Sequence, residues 1–330
     1  MAETVLVTGG SGYVARWCIA ELLKRGAAVR ATVRGPAKEA AVRAAVAREA
    51  GGALRLGFAH ADLTRDEGWD AALEGCTGVL HVASPIGVAP KDPNAFLAPA
   101  RDGTLRVLRA AAHAGVRRVV MTSAAAAARS PDARVADETM WTDPDRRDLD
   151  AYRRSKVLAE RAAWDFAAEH RGKLELVTIL PGAVFGPVLA KDSLGSAAIV
   201  QRLLAGSPAR LPRIGFWIVD VRDLAELHVR ALTAPAAGGE RFLATGEFMW
   251  LEDVAATLRA RLGERAERVP TRRLPDFAVR LLALASAQVR SIAPLVGRVN
   301  PVTSAKAQRV LGFAPRPAAD TLVDCARSLL

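Results

Sequence analysis

Apolar residues in the first half of the chain fall into short, nearly unbroken runs at 4–8, 28–33, 54–59, 78–82, 118–122 and 175–180. Runs of this length, rich in Val, Leu and Ile, suit strands buried on both faces of a parallel sheet. Between them, at 12–25, 38–50, 95–114 and 150–170, alanine, leucine and arginine recur with helical spacing. Strands alternating with helices predict right-handed βαβ units and a doubly wound α/β sheet. After residue 181 the pattern changes. Pro181, Gly182, Gly186 and Pro187 predict an irregular connection. Helices are expected at 196–205, 221–232, 251–262, 277–288 and 303–311, with strands near 216–219 and 241–244. The chain therefore divides into 1–181, to which 215–245 is expected to return, and a smaller, mostly helical region within 182–330.

Composition narrows the class. With 330 residues, 51% of them hydrophobic and 25% charged, there is material for a large core, and disordered or disulfide-stapled chains are excluded. Cys18, Cys76 and Cys325 are too few and too scattered for a disulfide framework or a zinc site, which fits a reducing, cytoplasmic setting. The net charge of +11 raises the question of a polyanion partner. Only seven of the 46 basic residues are lysine, and the arginines are spread along an alanine-rich chain. A nucleic-acid binder concentrates its cations on one face, so no nucleic-acid partner is expected. The apolar stretch 277–297 is interrupted by Arg280 and Arg290, too short a run for a membrane span. No targeting segment is visible.

The first strand runs directly into Thr8-Gly9-Gly10-Ser11-Gly12-Tyr13-Val14-Ala15 at the head of a helix. Gly10-x-Gly12-x-x-Ala15 fits a dinucleotide turn: glycines let the backbone approach a pyrophosphate, and free N–H groups at the helix start meet the anion. This makes the predicted sheet Rossmann-type. An NAD site would place a carboxylate at the end of the second strand; this chain has Arg34, with Lys38 beyond. A guanidinium there suits a 2′-phosphate, so NADP(H) is the expected cofactor, although a solvated arginine would look the same. Asp62, followed by Leu63 after the third strand, has two readings: an acceptor for the adenine amine, or a cap.

Tyr152 and Lys156 are four residues apart on one helix face. An ammonium beside a phenol lowers its pKa and makes it a proton donor and acceptor. Together these segments resemble the extended short-chain dehydrogenase/reductases of the NAD-dependent epimerase/dehydratase family. Thr8-Gly9-x-x-Gly12-x-x-Ala15 is similar to their nucleotide turn and Tyr152-Arg-Arg-Ser-Lys156 to their YxxxK. The likeness continues through His81-Val82-Ala83-Ser84-Pro85, Pro181-Gly182-Ala183-Val184-Phe185-Gly186-Pro187, Val219-Asp220-Val221-Arg222-Asp223 and Leu311-Gly312-Phe313. Arg30-Ala31-Thr32-Val33-Arg34 resembles the dihydroflavonol-reductase, cinnamoyl-CoA-reductase and aldehyde-reductase group.

The resemblance implies hydride transfer from NADPH to a carbonyl carbon. Tyr152 would protonate the alkoxide, and Lys156 would hold the nicotinamide ribose. It implies cofactor contacts from Thr8, Gly9, Gly12, Tyr13, Val14, Arg34, Lys38, Asp62, Leu63, Val82, Ala83, Ser84, Pro181 and Val184. The group's third catalytic residue is the second serine after the fifth strand, yet the segment reads Thr122-Ser123-Ala124. Three explanations stay open: Ser123 takes the role after a one-residue shift, the chain is a weakened variant, or the reaction depends less on that donor. The pocket is expected around Pro85, Ala124, Phe185 and Trp217, which suits an apolar or aromatic ketone or aldehyde. Flavonoid reductases carry an Asn shortly after the serine, where this chain has alanines and then Arg129. The expected activity is thus that of an NADPH-dependent carbonyl reductase, monomeric or homodimeric. An NADP-binding regulator with little turnover and a sugar-nucleotide epimerase or dehydratase are the alternatives. Isolated histidines and the lack of G-x-S-x-G and GK[ST] leave metal, serine-hydrolase and P-loop chemistry without support.

Overall fold

The computed structural model describes residues 3–84, 97–130, 134–146 and 148–330. The first part runs β1 (Thr4–Val7), α1 (Tyr13–Lys24), β2 (Ala28–Val33), α2 (Glu39–Ala50), β3 (Leu56–His60), α3 (Trp69–Leu73), β4 (Cys76–His81), α4 (Leu97–His113), β5 (Arg118–Thr122), α5 (Ala151–Glu169) and β6 (Glu175–Pro181). The second continues with β7 (Ala183–Phe185), α6 (Ala197–Leu204), β8 (Leu211–Pro212), β9 (Gly215–Asp220), α7 (Val221–Thr233), β10 (Arg241–Ala244) and β11 (Phe248–Trp250). It ends with α8 (Leu251–Leu262), β12 (Arg273–Leu274), α9 (Asp276–Ala285), α10 (Ala287–Ile292), α11 (Ala305–Leu311) and α12 (Ala318–Leu329).

Seven parallel strands form one sheet in the order β10-β6-β5-β4-β1-β2-β3. The order reverses between β1 and β4, and in such sheets ligands bind outside the carboxyl ends at that point. The apolar runs are unbroken because both faces are covered: α1 and α7 close one side, α4 and α5 the other. This is the expected Rossmann-type α/β fold.

Three local readings change. The stretch 215–245 returns to the large sheet through β10, which joins it, and α7, which covers it, but β9 pairs instead with β7 and β11 in a separate three-stranded sheet. That pairing also converts part of the expected irregular connection after Pro181 into β7. The helix expected over 277–288 breaks at Ser286, whose extended backbone and Oγ, accepting from Val289 N at 3.3 Å, start α10 afresh. Helix α12 was not expected. It buries Leu322, Val323 and Cys325 against α6 and α8, a tertiary fit that the prolines before it conceal.

Candidate active site

The carboxyl ends of the central strands gather most of the expected cofactor residues. Gly9 takes a left-handed φ of +70°, and its N–H donates to Thr32 Oγ1 at 2.9 Å, tying β1 to β2. A Cβ at Gly9 would meet Ala83 at 3.0 Å, and one at Gly10 would come within 2.8 Å of Ala31 Cβ, so both positions need glycine. Thr8 is fully buried and does not face the cleft. Its hydroxyl joins His81 Nδ1 at 2.9 Å and accepts from Ala83 N at 3.0 Å, holding the β1 and β4 ends together. His81 is neutral: burial, with Lys156 nearby, pushes it down to about 3.

Helix α1 starts at Gly12 with no side-chain cap and no acid in its first turn. An uncapped start of this kind leaves N–H groups for a pyrophosphate, as the dinucleotide requires. The adjoining side chains divide. Val14 is half-buried, whereas the Tyr13 hydroxyl donates to Gly186 O at 2.8 Å inside the core, so only its backbone can serve the cofactor. Arg34 is exposed at the end of β2 with no carboxylate in its place. Lys38 Nζ lies 3.2 Å from Asp192, which also pairs with the buried Arg16 at 2.7 Å. Asp62 Oδ1 accepts from the Thr64 N–H and hydroxyl, both at 2.8 Å, closing a turn rather than capping a helix. The Thr64 backbone N–H, more than Arg34 or Arg65, holds the Asp62 carboxyl below its usual range. Leu63 packs against α4 at Gly103, while Val82, Ala83, Ser84 and Val184 are half-buried and Pro181 ends β6. The glycine cradle, the uncapped helix and the cations at β2 fit a phosphorylated dinucleotide.

Tyr152 and Lys156, the pair expected to transfer the proton, lie at the next strand ends. Asp150 caps α5 by accepting from Arg153 N at 2.7 Å, which sets Tyr152 in the first turn and Lys156 one turn on. Lys156 is almost wholly buried, and its Nζ donates to Thr122 O at 3.0 Å at the end of β5. Burial pushes Lys156 down to about 8, against the attraction of Glu160. Tyr152 behaves differently from the expectation that a lysine would lower it: burial, with Asp150 adding, pushes the phenol up to about 12. The Lys156 ammonium is held at Thr122 O, and the phenol has no hydrogen-bond partner among the described residues.

The hydroxyls beside Ala124 are both occupied. Thr122 Oγ1 lies 2.7 Å from His228 Nε2. His228 Nδ1 must donate to Leu224 O at 2.8 Å, so Nε2 is the acceptor and Thr122 donates to it. Ser123 corrects the sequence reading. Its Oγ donates at 2.6 Å to Glu160 Oε2, in a buried cluster where Thr178 and Arg241 bind the other carboxylate oxygen. Adjacent residues of extended chain point oppositely, so Ser123 turns inward and Ala124, with φ −155° and ψ 148°, turns the other way. Phe185 is also corrected: it is fully buried, edge-on to Phe216 at 6.3 Å, and belongs to the core rather than the pocket wall. Trp217 is half-buried, and its Nε1 donates to Asn300 O at 2.8 Å. Pro85 lies outside the described residues.

Glu160, Arg241, Arg16, Asp192 and Asn300 were not singled out from the sequence. Only Glu160 left a signal there, one helical turn after Lys156.

The chain matches the model of the NAD dependent epimerase/dehydratase family over residues 5–244. It is 40% identical over 254 residues to cinnamoyl-CoA reductase CAD2 of Medicago truncatula, covering 74% of this chain and 76% of that protein. It is 36% identical over 276 residues to dihydroflavonol 4-reductase of Zea mays, covering 79% and 75% of the two. In fold it is similar to yeast methylglyoxal/isovaleraldehyde reductase Gre2 complexed with NADPH, with a TM-score of 0.82, 24% identity, and 99% and 98% of the chains covered. With the glycine turn, the parallel sheet and the Tyr152–Lys156 helix already in place, these likenesses settle the assignment: the chain belongs to the NAD dependent epimerase/dehydratase family, among its reductases.

Proposed function

We propose that the chain is an NADPH-dependent carbonyl reductase acting on an apolar or aromatic ketone or aldehyde. The observation that carries this reading is the pairing of Tyr152 with a buried Lys156 fixed 3.0 Å from Thr122 O, at the strand ends that also carry the glycine cradle. The α1 N–H groups would hold the pyrophosphate, Arg34 and Lys38 the 2′-phosphate, and Lys156 the nicotinamide ribose. Bound NADPH supplies a hydride to the carbonyl carbon. Tyr152 gives its phenolic proton to the oxygen that gains charge. A phenol pushed up to about 12 is protonated throughout the neutral range, which suits a donor and favours reduction over alcohol oxidation.

The substrate oxygen lacks a serine donor at Ala124, and Ser123 and Thr122 are committed elsewhere. Turnover therefore rests on Tyr152 and on the positioning of substrate against the half-buried Ala124–Ala126 segment. NADPH oxidation measured with a panel of aryl ketones, β-keto esters and aldehydes tests the proposal. Turnover with NADPH and a much slower rate with NADH support it. Tight NADPH binding without turnover, in the given chain and in Ala124→Ser alike, would leave the non-catalytic NADP-binding reading in its place.

A further inference from the structure

Helix α9 is built the wrong way round for a helix at a protein surface. Its inward side carries small residues, with Val279 and Ala283 buried. Its outward side carries the large ones: Phe277, Leu281, Leu282 and Leu284 are 68%, 63%, 48% and 77% exposed. Phe277, Leu281 and Leu284 recur at helical spacing, so they form one continuous stripe. Side chains of this size expose roughly 400–500 Å² together, a patch large enough to mark an interaction site.

Charge says what covers it. The stretch 272–299, which holds α9 and α10, has five arginines and one acid, Asp276, and so carries +4 of the chain's net charge of +11. Arg280 stands within the stripe, three residues after Phe277 and four before Leu284, exposed and with no acidic partner among the described residues. Arg290 is exposed at the end of the stripe, donating to Ala283 O at 3.0 Å and Leu284 O at 3.1 Å. Acids on neighbouring elements do not cancel this excess. Glu252, which pairs with Arg273, is offset by Arg213 beside Gly297, and Asp148, 4.0 Å from Arg298, is already held by Arg146. The charged residues of 85–96, 131–133 and 147 sum to zero.

An apolar stripe framed by such arginines matches a surface that offers hydrocarbon beneath negative charge, as an anionic bilayer does. A second copy of this chain fits less well. A two-fold contact would set this positive region against itself. The stripe also reaches only about half of the roughly 800 Å² per partner that a stable interface buries. No described helix is long and apolar enough to cross a membrane, so the contact is with its surface.

We propose that α9 docks the protein on an anionic lipid surface, lying along the headgroups with Phe277, Leu281 and Leu284 turned into the acyl boundary. The inference stands apart from the reductase reading, since none of these residues belongs to the candidate active site.

The test is cosedimentation of the full chain with vesicles of phosphatidylcholine, alone or with one third phosphatidylserine, in low and high salt. Binding to the anionic vesicles should be at least tenfold tighter than to the neutral ones, and weaker in high salt. Leu281→Gln combined with Leu284→Gln should lower it at least tenfold, and Arg280→Gln alone about fivefold. The substituted side chains face outward, so melting temperature and NADPH binding should match the wild-type chain. Equal binding to both kinds of vesicle, binding that survives both variants, or no binding to either would overturn the proposal. Light scattering without lipid checks the rival occupant: a dimer that the leucine variant abolishes would assign the stripe to a second copy and overturn the proposal as well.

Discussion

Restoring a hydroxyl at residue 124 is the sharpest perturbation of the site. Ala124 is in extended backbone on the side opposite Ser123, and the two neighbouring hydroxyls are bound at 2.6 and 2.7 Å to Glu160 and His228. Neither can leave without stranding a buried acceptor, which costs about 1–3 kcal/mol. On the proposed reading, the oxygen that gains charge during reduction would have Tyr152 as its side-chain donor and no second one from this segment. A donor aimed at such an oxygen is worth about 10²–10³ in rate, or roughly 3–4 kcal/mol. In Ala124→Ser the new Oγ adds one oxygen to a residue that is only half-buried, so packing should not oppose it. We expect kcat for ketone reduction to rise by at least tenfold, with NADPH affinity unchanged. Stopped-flow single turnover separates the hydride step from product release and is the assay of choice. An unchanged or slower hydride step would show that another group already serves this oxygen, and the reasoning from Ser123 and Thr122 would be wrong.

Other outcomes follow from the same geometry. Arg34→Glu should weaken NADPH binding at least tenfold while leaving NADH within about threefold, read by quenching of protein fluorescence; parallel losses for both would remove Arg34 from the 2′-phosphate site. Lys156, pushed down to about 8 by burial, loses its charge as pH rises through that value, so kcat/KM for reduction should be level below about pH 8 and fall above it. No descending limb before pH 10 would contradict the role of its charge. Buried neutral histidines make the fold acid-sensitive: His81 and His228 are pushed down to about 3 and about 4, below the roughly 6.5 of an unfolded chain. The unfolded state takes up protons that the folded state refuses, so the melting temperature should drop as pH falls from 6.5 towards 4, with a shallower slope in His228→Gln. A slope that His228→Gln leaves unchanged would assign the effect to other groups.

The sheet and its cofactor edge were legible because both rest on local patterns. Apolar runs such as Thr4–Val7 carry their burial in their own composition, and a glycine turn is written in consecutive residues. The interior wiring of the site was not. Ser123 faces Glu160 because that carboxylate, held by Thr178 and Arg241, offers a buried acceptor from three distant segments. No spacing announces that assembly. Phe185 likewise looked like a pocket residue beside Val184, but alternation along β7 sends it into the core. The Tyr152 phenol rose rather than fell because burial, with Asp150 adding, outweighs the cations around it, a balance that spacing on a helix does not reveal. Lys156 found a carbonyl acceptor first.

Isotope transfer is the direct test of the central claim. NADPH carrying deuterium at the transferable C4 position is incubated with the protein and 4-acetylbenzoate or its methyl ester, and the product alcohol is read by mass spectrometry. The account predicts one deuterium on the carbinol carbon, transfer at least 10²-fold slower in Tyr152→Phe, and retained NADPH binding in that variant. Protein that binds NADPH yet delivers no deuterium to any carbonyl compound, or a Tyr152→Phe variant that transfers it at the wild-type rate, would contradict it.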